Sequence, residues 1–102
     1  MKEYDIFVPL YFNDGSPVEV EKFQDLQETL LRQFGGLTFF PQPNKGFWQM
    51  AGVTYRDEIV VYRVIAAASG DSRKFLERLK ERLKADFEQE EILIVEREIQ
   101  ML

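Results

Sequence analysis

Ten consecutive residues, IVVYRVIAAA from Ile59 to Ala68, carry a single charge among β-branched, aromatic and small apolar side chains. Such a run is a strand, and because successive side chains point to opposite sides, both of its faces are apolar. A strand of that kind belongs in the middle of a sheet rather than at its edge. YDIFVPLYF (4–12) has the same character, with Ile6, Val8 and Leu10 on one face and Phe7, Pro9 and Tyr11 on the other. Pro9 cannot donate to a ladder, so a bulge or an early end to pairing is expected there.

Only two segments have helical periodicity. After the turn residues Asn13-Asp14-Gly15, Ser16 reads as an N-cap, Pro17 as the first helical residue and Glu19 as the end of a capping box. Phe23, Leu26, Leu30 and Phe34 then share one face, with Leu31 beside them, and Gly35 or Gly36 closes the helix. The second runs from Ser72 to Phe87, where Phe75, Leu79, Leu83 and Phe87 step by four and Asp71 or Ser72 caps the start.

Between the helices, LTFF reads as a short strand broken by PQPNKG. FWQMAG and VTYRDEIVVYRVIAAA read as a hairpin turning near Gly52. The final EILIVEREIQML alternates, with Leu93, Val95 and Ile99 against Ile92, Ile94, Glu96 and Glu98. The order is βαββαβ. Right-handed crossovers make this an α+β, ferredoxin-like sandwich: a four-stranded antiparallel sheet with both helices on one face, forming a single domain over residues 1–102. Two helices cover only one side of such a sheet. The other side should expose Phe7, Tyr11, an alternate set from Ile59 to Ala67 and part of the last strand.

Several turn and junction residues form a recognisable pattern. Gly36-Leu37-Thr38, then Gly46-Phe47-Trp48, then Phe87-x-Gln89-Glu90-x-x-Leu93 spell GLT…G-x-W…F-x-Q-E-x-x-L. With NDGSPV after the first strand and YRDEIVVYRV after GFWQ, the chain resembles a group of small uncharacterised bacterial ferredoxin-like proteins, a domain of unknown function. Trp48, Phe87, Gln89 and Glu90 stand at the matching positions. The resemblance implies the fold and brings no catalytic residues with it. Several such relatives carry an export signal, whereas MKEYDIFVPL lacks a signal-peptide apolar run, so the expected address is the cytoplasm.

Composition narrows the chemistry. The chain has no Cys and no His, which removes disulfides, Ser-His and Cys-His catalysis, zinc held by thiolate or imidazole, and His-ligated haem. No catalytic residue, metal ligand set or cofactor is assigned. A net charge of −5 opposes binding to nucleic acid or anionic lipid, and no apolar stretch reaches membrane length. The second helix concentrates Arg73, Lys74, Arg78, Lys80, Arg82 and Lys84, but its neighbour is mainly acidic, so mutual compensation is the simpler reading.

The remaining candidates divide into two function classes. In the favoured one the protein is a non-enzymatic domain that binds itself, as a homodimer, or a partner through the open sheet face, with Phe7 and Tyr11 as interface residues. In the alternative it is a small enzyme or small-molecule binder of the dimeric ferredoxin-like barrel type. Tyr11, Trp48, Tyr55, Arg56, Glu58, Tyr62 and Arg63 would then line the pocket, around a ligand the sequence does not identify. The aromatic run FGGLTFFPQPNKGFWQMAG reads mainly as an edge of the core packed under the second helix, with Phe39, Phe40, Phe47 and Trp48 as its rings and any exposed ring available to a dimer contact.

Overall fold

The computed structural model describes the backbone of residues 1–102 and all side chains except those of Gln42, Pro43, Met50, Tyr55 and Arg56. The elements are β1 (Lys2–Pro9), α1 (Val20–Phe34), β2 (Thr38–Met50), β3 (Val53–Ala66), α2 (Gly70–Asp86) and β4 (Ile94–Glu98). All pairings are antiparallel, in the order β2-β3-β1-β4, so the two strands read from their apolar runs as central do lie at the centre. β1 ends at Pro9, where the missing N–H was expected to stop the ladder.

One hydrophobic core fills the space between the sheet and both helices. Tyr4, Ile6 and Val8 of β1 and Val60, Tyr62, Val64 and Ala66 of β3 face Leu26 and Leu30 of α1 and Leu76, Leu79 and Leu83 of α2. Both helices therefore cover the same side. Phe23 meets Phe87 edge-on at 5.4 Å, and Phe34 meets Phe75 at 5.7 Å, so aromatic pairs close the layer between the helices.

The helix starts differ from the sequence expectation. α1 begins at Val20 with Glu19 at the cap position and no side-chain cap bond; Ser16 and Pro17 lie outside it. The Ser16 amide and hydroxyl both donate to Asp14 Oδ1, while Pro17 bridges to Tyr11. The local Asp14–Ser16 turn has taken the groups that a capping box would use. α2, by contrast, starts earlier than expected, at Gly70 behind Ser69, and ends on a buried Phe87. Gly35 closes α1 at φ 77°, its N–H bonded to the Leu31 carbonyl, as a left-handed C-terminal residue should be.

The largest departure is β2. Its prolines do not divide it: it runs thirteen residues, and a register shift between Phe40 and Asn44 absorbs the irregularity. Pro41 and Pro43 fall on an edge strand at a bulge, where a missing donor does least harm. β3 pairs with β1 only from Ile59 to Ala66, yet it pairs with β2 as far as Val53. The hairpin therefore runs beyond the sheet as a two-stranded arm, turned by Ala51 and Gly52 at φ 52° and 78°. Its projection accounts for a radius of gyration of 14.0 Å and a long axis of 41 Å, where a compact chain of this length has a radius near 13 Å.

Candidate functional site

The face away from the helices is built from alternate residues of each strand. β1 contributes Glu3, Asp5, Phe7 and Pro9, and β3 contributes Ile59, Val61, Arg63 and Ile65 opposite them. β4 adds Val95 and Arg97, and β2 adds Thr38 and Phe40. The same side of β3 continues into the arm, where Asp57 and Val53 stand beside Trp48. Sheet face and arm thus form one continuous surface.

That surface has two chemically distinct parts. One is apolar: Phe7 and Ile59 half-buried, Val61 buried, and Phe40, Trp48 and Val53 exposed at 37%, 38% and 51%. The other is ionic. Asp5 is only 3% exposed, and it accepts from Arg63 Nε at 2.8 Å, Arg63 Nη2 at 3.1 Å and Arg97 Nη1 at 2.8 Å. Glu3 lies 3.2 Å from Arg63 Nε and 3.5 Å from Arg97 Nη1. Four charges from three adjacent strands therefore cancel within one network. The Arg63 hydrogen bond, reinforced by Arg97, holds the Asp5 carboxyl below the usual carboxylate range. An apolar open face was expected; Glu3 and Asp5, on the N-terminal half of β1, make half of it ionic.

The aromatic run does not pack under α2. Phe39 stacks on Tyr62 at 4.7 Å, and Phe40 lies under Arg63, its ring centre 5.0 Å from the guanidinium carbon. Trp48 Nε1 donates to Asp57 Oδ2 at 2.7 Å on the arm, and Phe47 is 66% exposed on the arm's other side. Phe47 and Trp48 stand on a two-stranded ribbon, which cannot bury both of its sides, while Phe39 and Phe40 lie on the edge strand of the sheet itself, 39% and 37% exposed.

The residues read from the sequence as pocket candidates are spread over the molecule. Tyr62 is buried among the core side chains, which raises its phenol pKa, whereas Arg63 projects to the opposite face. Glu58 pairs in register with Lys45 on the arm, and Tyr11 sits 44% exposed in the loop after β1. The side chains of Tyr55 and Arg56 lie outside the described residues. Of the interface candidates, Phe7 is on the open face. Tyr11 is not, because β1 has ended before it.

Concavities fall elsewhere. A shallow depression of about 240 Å³ lies between α2 and β4, with Tyr4, Leu76 and Ile94 on its floor and Arg73, Lys80 and Glu96 at its rim. The Tyr4 hydroxyl donates to Glu96 Oε1 at 2.8 Å there, and burial together with that bond pushes its pKa up to about 12. Among the described residues no group of three or more carboxylates is placed to hold a metal ion, and no helix is long and apolar enough to cross a membrane. At the α2–β4 junction, Gln89 donates to Asn13 Oδ1 at 3.3 Å and to the Phe87 carbonyl at 3.0 Å, which ties the end of α2 to the loop after β1.

The sequence decided none of the Asp5 geometry. Nothing in MKEYD marks Asp5 as buried, and the signal that could have found it is register: Asp5 falls opposite Arg63 once β1 and β3 are aligned.

No family model matches the chain, and no curated protein matches its sequence. Solved structures do match its fold. A phage SAM lyase in complex with S-methyl-5′-thioadenosine superposes with a TM-score of 0.73 at 20% identity, over 95% of this chain and 80% of that one. The CutA1 divalent cation tolerance protein of Thermus thermophilus gives 0.65 at 18%, over 99% and 86%. CutA1 of Pyrococcus horikoshii gives 0.63 at 16%, over 100% and 86%. The fold is ferredoxin-like. At these identities the likeness extends to the fold alone.

Proposed function

We propose that this protein is a non-enzymatic, self-associating domain, and that the open sheet face with its arm is the association surface. The observation that carries the reading is the arm: a hairpin prolonged past its sheet, bearing Phe47, Trp48 and Val53 in solvent. An isolated two-stranded ribbon is marginal in water, so a projection with exposed rings gains stability when another surface covers it. The apolar half of the sheet face continues into it without a break. Covering ~400 Å² of such surface contributes about 10 kcal/mol, against association costs on the order of 4–15 kcal/mol, so a stable homodimer needs the sheet face and the arm covered together.

The small-molecule alternative has less support, because its described candidate side chains, among them Tyr62, Arg63 and Trp48, stand on opposite faces and on the arm rather than around a cavity. The test is sedimentation velocity of the purified chain at low micromolar concentration. A species at twice the 12.1 kDa monomer mass supports the proposal, and a monomer across the whole range refutes it.

A further inference from the structure

We infer that the Glu3–Asp5–Arg63–Arg97 network selects the partner at this surface, and that the partner is a second copy of this chain docked in one orientation. The inference rests on the self-association proposed above and adds which side chains decide its specificity.

Position is the first argument. The network spans β3, β1 and β4 on the face left uncovered by the helices, beside Phe7, Val61 and Val95. Any chain that covers the apolar half comes up against it.

Charge is the second. The network takes two of the 13 basic residues and two of the 18 acidic ones, so the whole net charge of −5 lies elsewhere. Two copies that meet here approach through a patch of zero net charge, so the repulsion between two chains of net charge −5 is not concentrated at the contact.

The third is unspent hydrogen-bonding capacity. The contacts within the network engage Arg63 Nε and Nη2 and Arg97 Nη1, while each guanidinium carries five N–H donors in a fixed fork. The Arg63 and Arg97 side chains remain 34% and 47% exposed. Both signs thus stand side by side, with both guanidinium-bearing side chains partly in solvent. A two-fold contact sets each residue against its counterpart surface, so a patch holding both signs complements itself: Glu3 of one copy can meet Arg97 of the other. An apolar partner without such charges would leave the arginine donors buried and unpaired, at a cost that rejects it. Polar groups inside an otherwise apolar contact are also what fixes a single register.

Charge complementation between two chains tests this. Glu3→Arg turns the neutral network to +2, and Arg97→Glu turns it to −2. Circular dichroism verifies the fold, and native mass spectrometry reads the assemblies. Each variant alone should self-associate about a hundredfold more weakly than the wild type, since like charges face each other. A 1:1 mixture should recover an assembly that holds one chain of each kind. A role confined to holding the strands of one chain together would not be rescued by mixing. Should either variant fail to fold, Glu3→Gln and Arg97→Gln carry the same test, with the same order and a smaller change. Variants that self-associate as tightly as the wild type, or a mixture that stays unassembled, overturn partner selection while leaving self-association standing. A monomeric wild type overturns both.

Discussion

Arg63 stands directly opposite Asp5 across the β1–β3 ladder and grips it with two hydrogen bonds, Nε to Oδ1 at 2.8 Å and Nη2 to Oδ2 at 3.1 Å. A carboxylate this buried is tolerated because both of its oxygens are engaged by guanidinium groups. Asp5→Asn removes the charge and leaves two arginines against Glu3 alone. A loss of about 2–4 kcal/mol is expected, toward the lower end because Arg97 is half in solvent, and urea denaturation measures it.

The same pair sets an acid dependence. The Asp5 pKa is lowered in the folded chain, chiefly by Arg63, from an ordinary value of about 3.9. Its contribution is therefore complete above that ordinary value and is lost as pH falls through the lowered one. Melting temperatures should decline below about pH 4 in the wild type and decline less steeply in Asp5→Asn. Parallel curves for the two proteins would contradict the assignment.

Tyr4 gives the opposite limb. Burial and its bond to Glu96 raise its pKa to about 12, so the folded state favours the neutral phenol. That contribution is full below the ordinary value near 10 and fades as pH rises toward 12. Ultraviolet titration should show a phenol ionising near pH 12 that disappears in Tyr4→Phe. The variant should lose about 1 kcal/mol at neutral pH, the worth of one hydrogen bond.

The arm tip holds a correctable strain. Ala51 sits at φ 52° in a two-residue hairpin turn whose positive φ values suit Asn-Gly. Ala51→Asn should stabilise the hairpin by about 0.5–1 kcal/mol, seen as slower amide exchange at Val53.

Val53 separates folding from association. It is half exposed on the arm and touches none of the core between sheet and helices. Val53→Asp should leave unfolding free energy within about 0.5 kcal/mol of wild type yet weaken self-association by roughly tenfold. Equal effects on both would place the arm in the fold rather than the interface.

Strand and helix order were legible because they rest on periodicity: the doubly apolar runs at 4–12 and 59–68 and the four-residue steps of Phe75, Leu79 and Leu83 have one physical interpretation each. The helix starts were not, since Ser16 has two partners available and the nearer one, Asp14, won. The length of β2 was hidden because proline reads as a strand end, although an edge bulge accommodates it. Rings at 39–48 read as core on composition; Phe39 and Phe40 lie on the edge strand, and only the pairing of Trp48 with Tyr55, beyond the reach of β1, shows that Phe47 and Trp48 stand where the sheet has ended. Asp5 was missed for a related reason: a charge in a strand reads as solvated until its cross-strand neighbour is known.

Trp48 is the chain's one tryptophan and stands on the arm, so its emission reports the association surface with no background. Spectra and acrylamide quenching followed from nanomolar to tens of micromolar protein test the account most directly. Self-association through this face should shift the emission to shorter wavelength and lower the quenching constant with a single midpoint, shared by wild type and Ala51→Asn and moved to higher concentration in Val53→Asp. Emission and quenching that stay constant over the whole range, with the ring as accessible at the top as at the bottom, would contradict it.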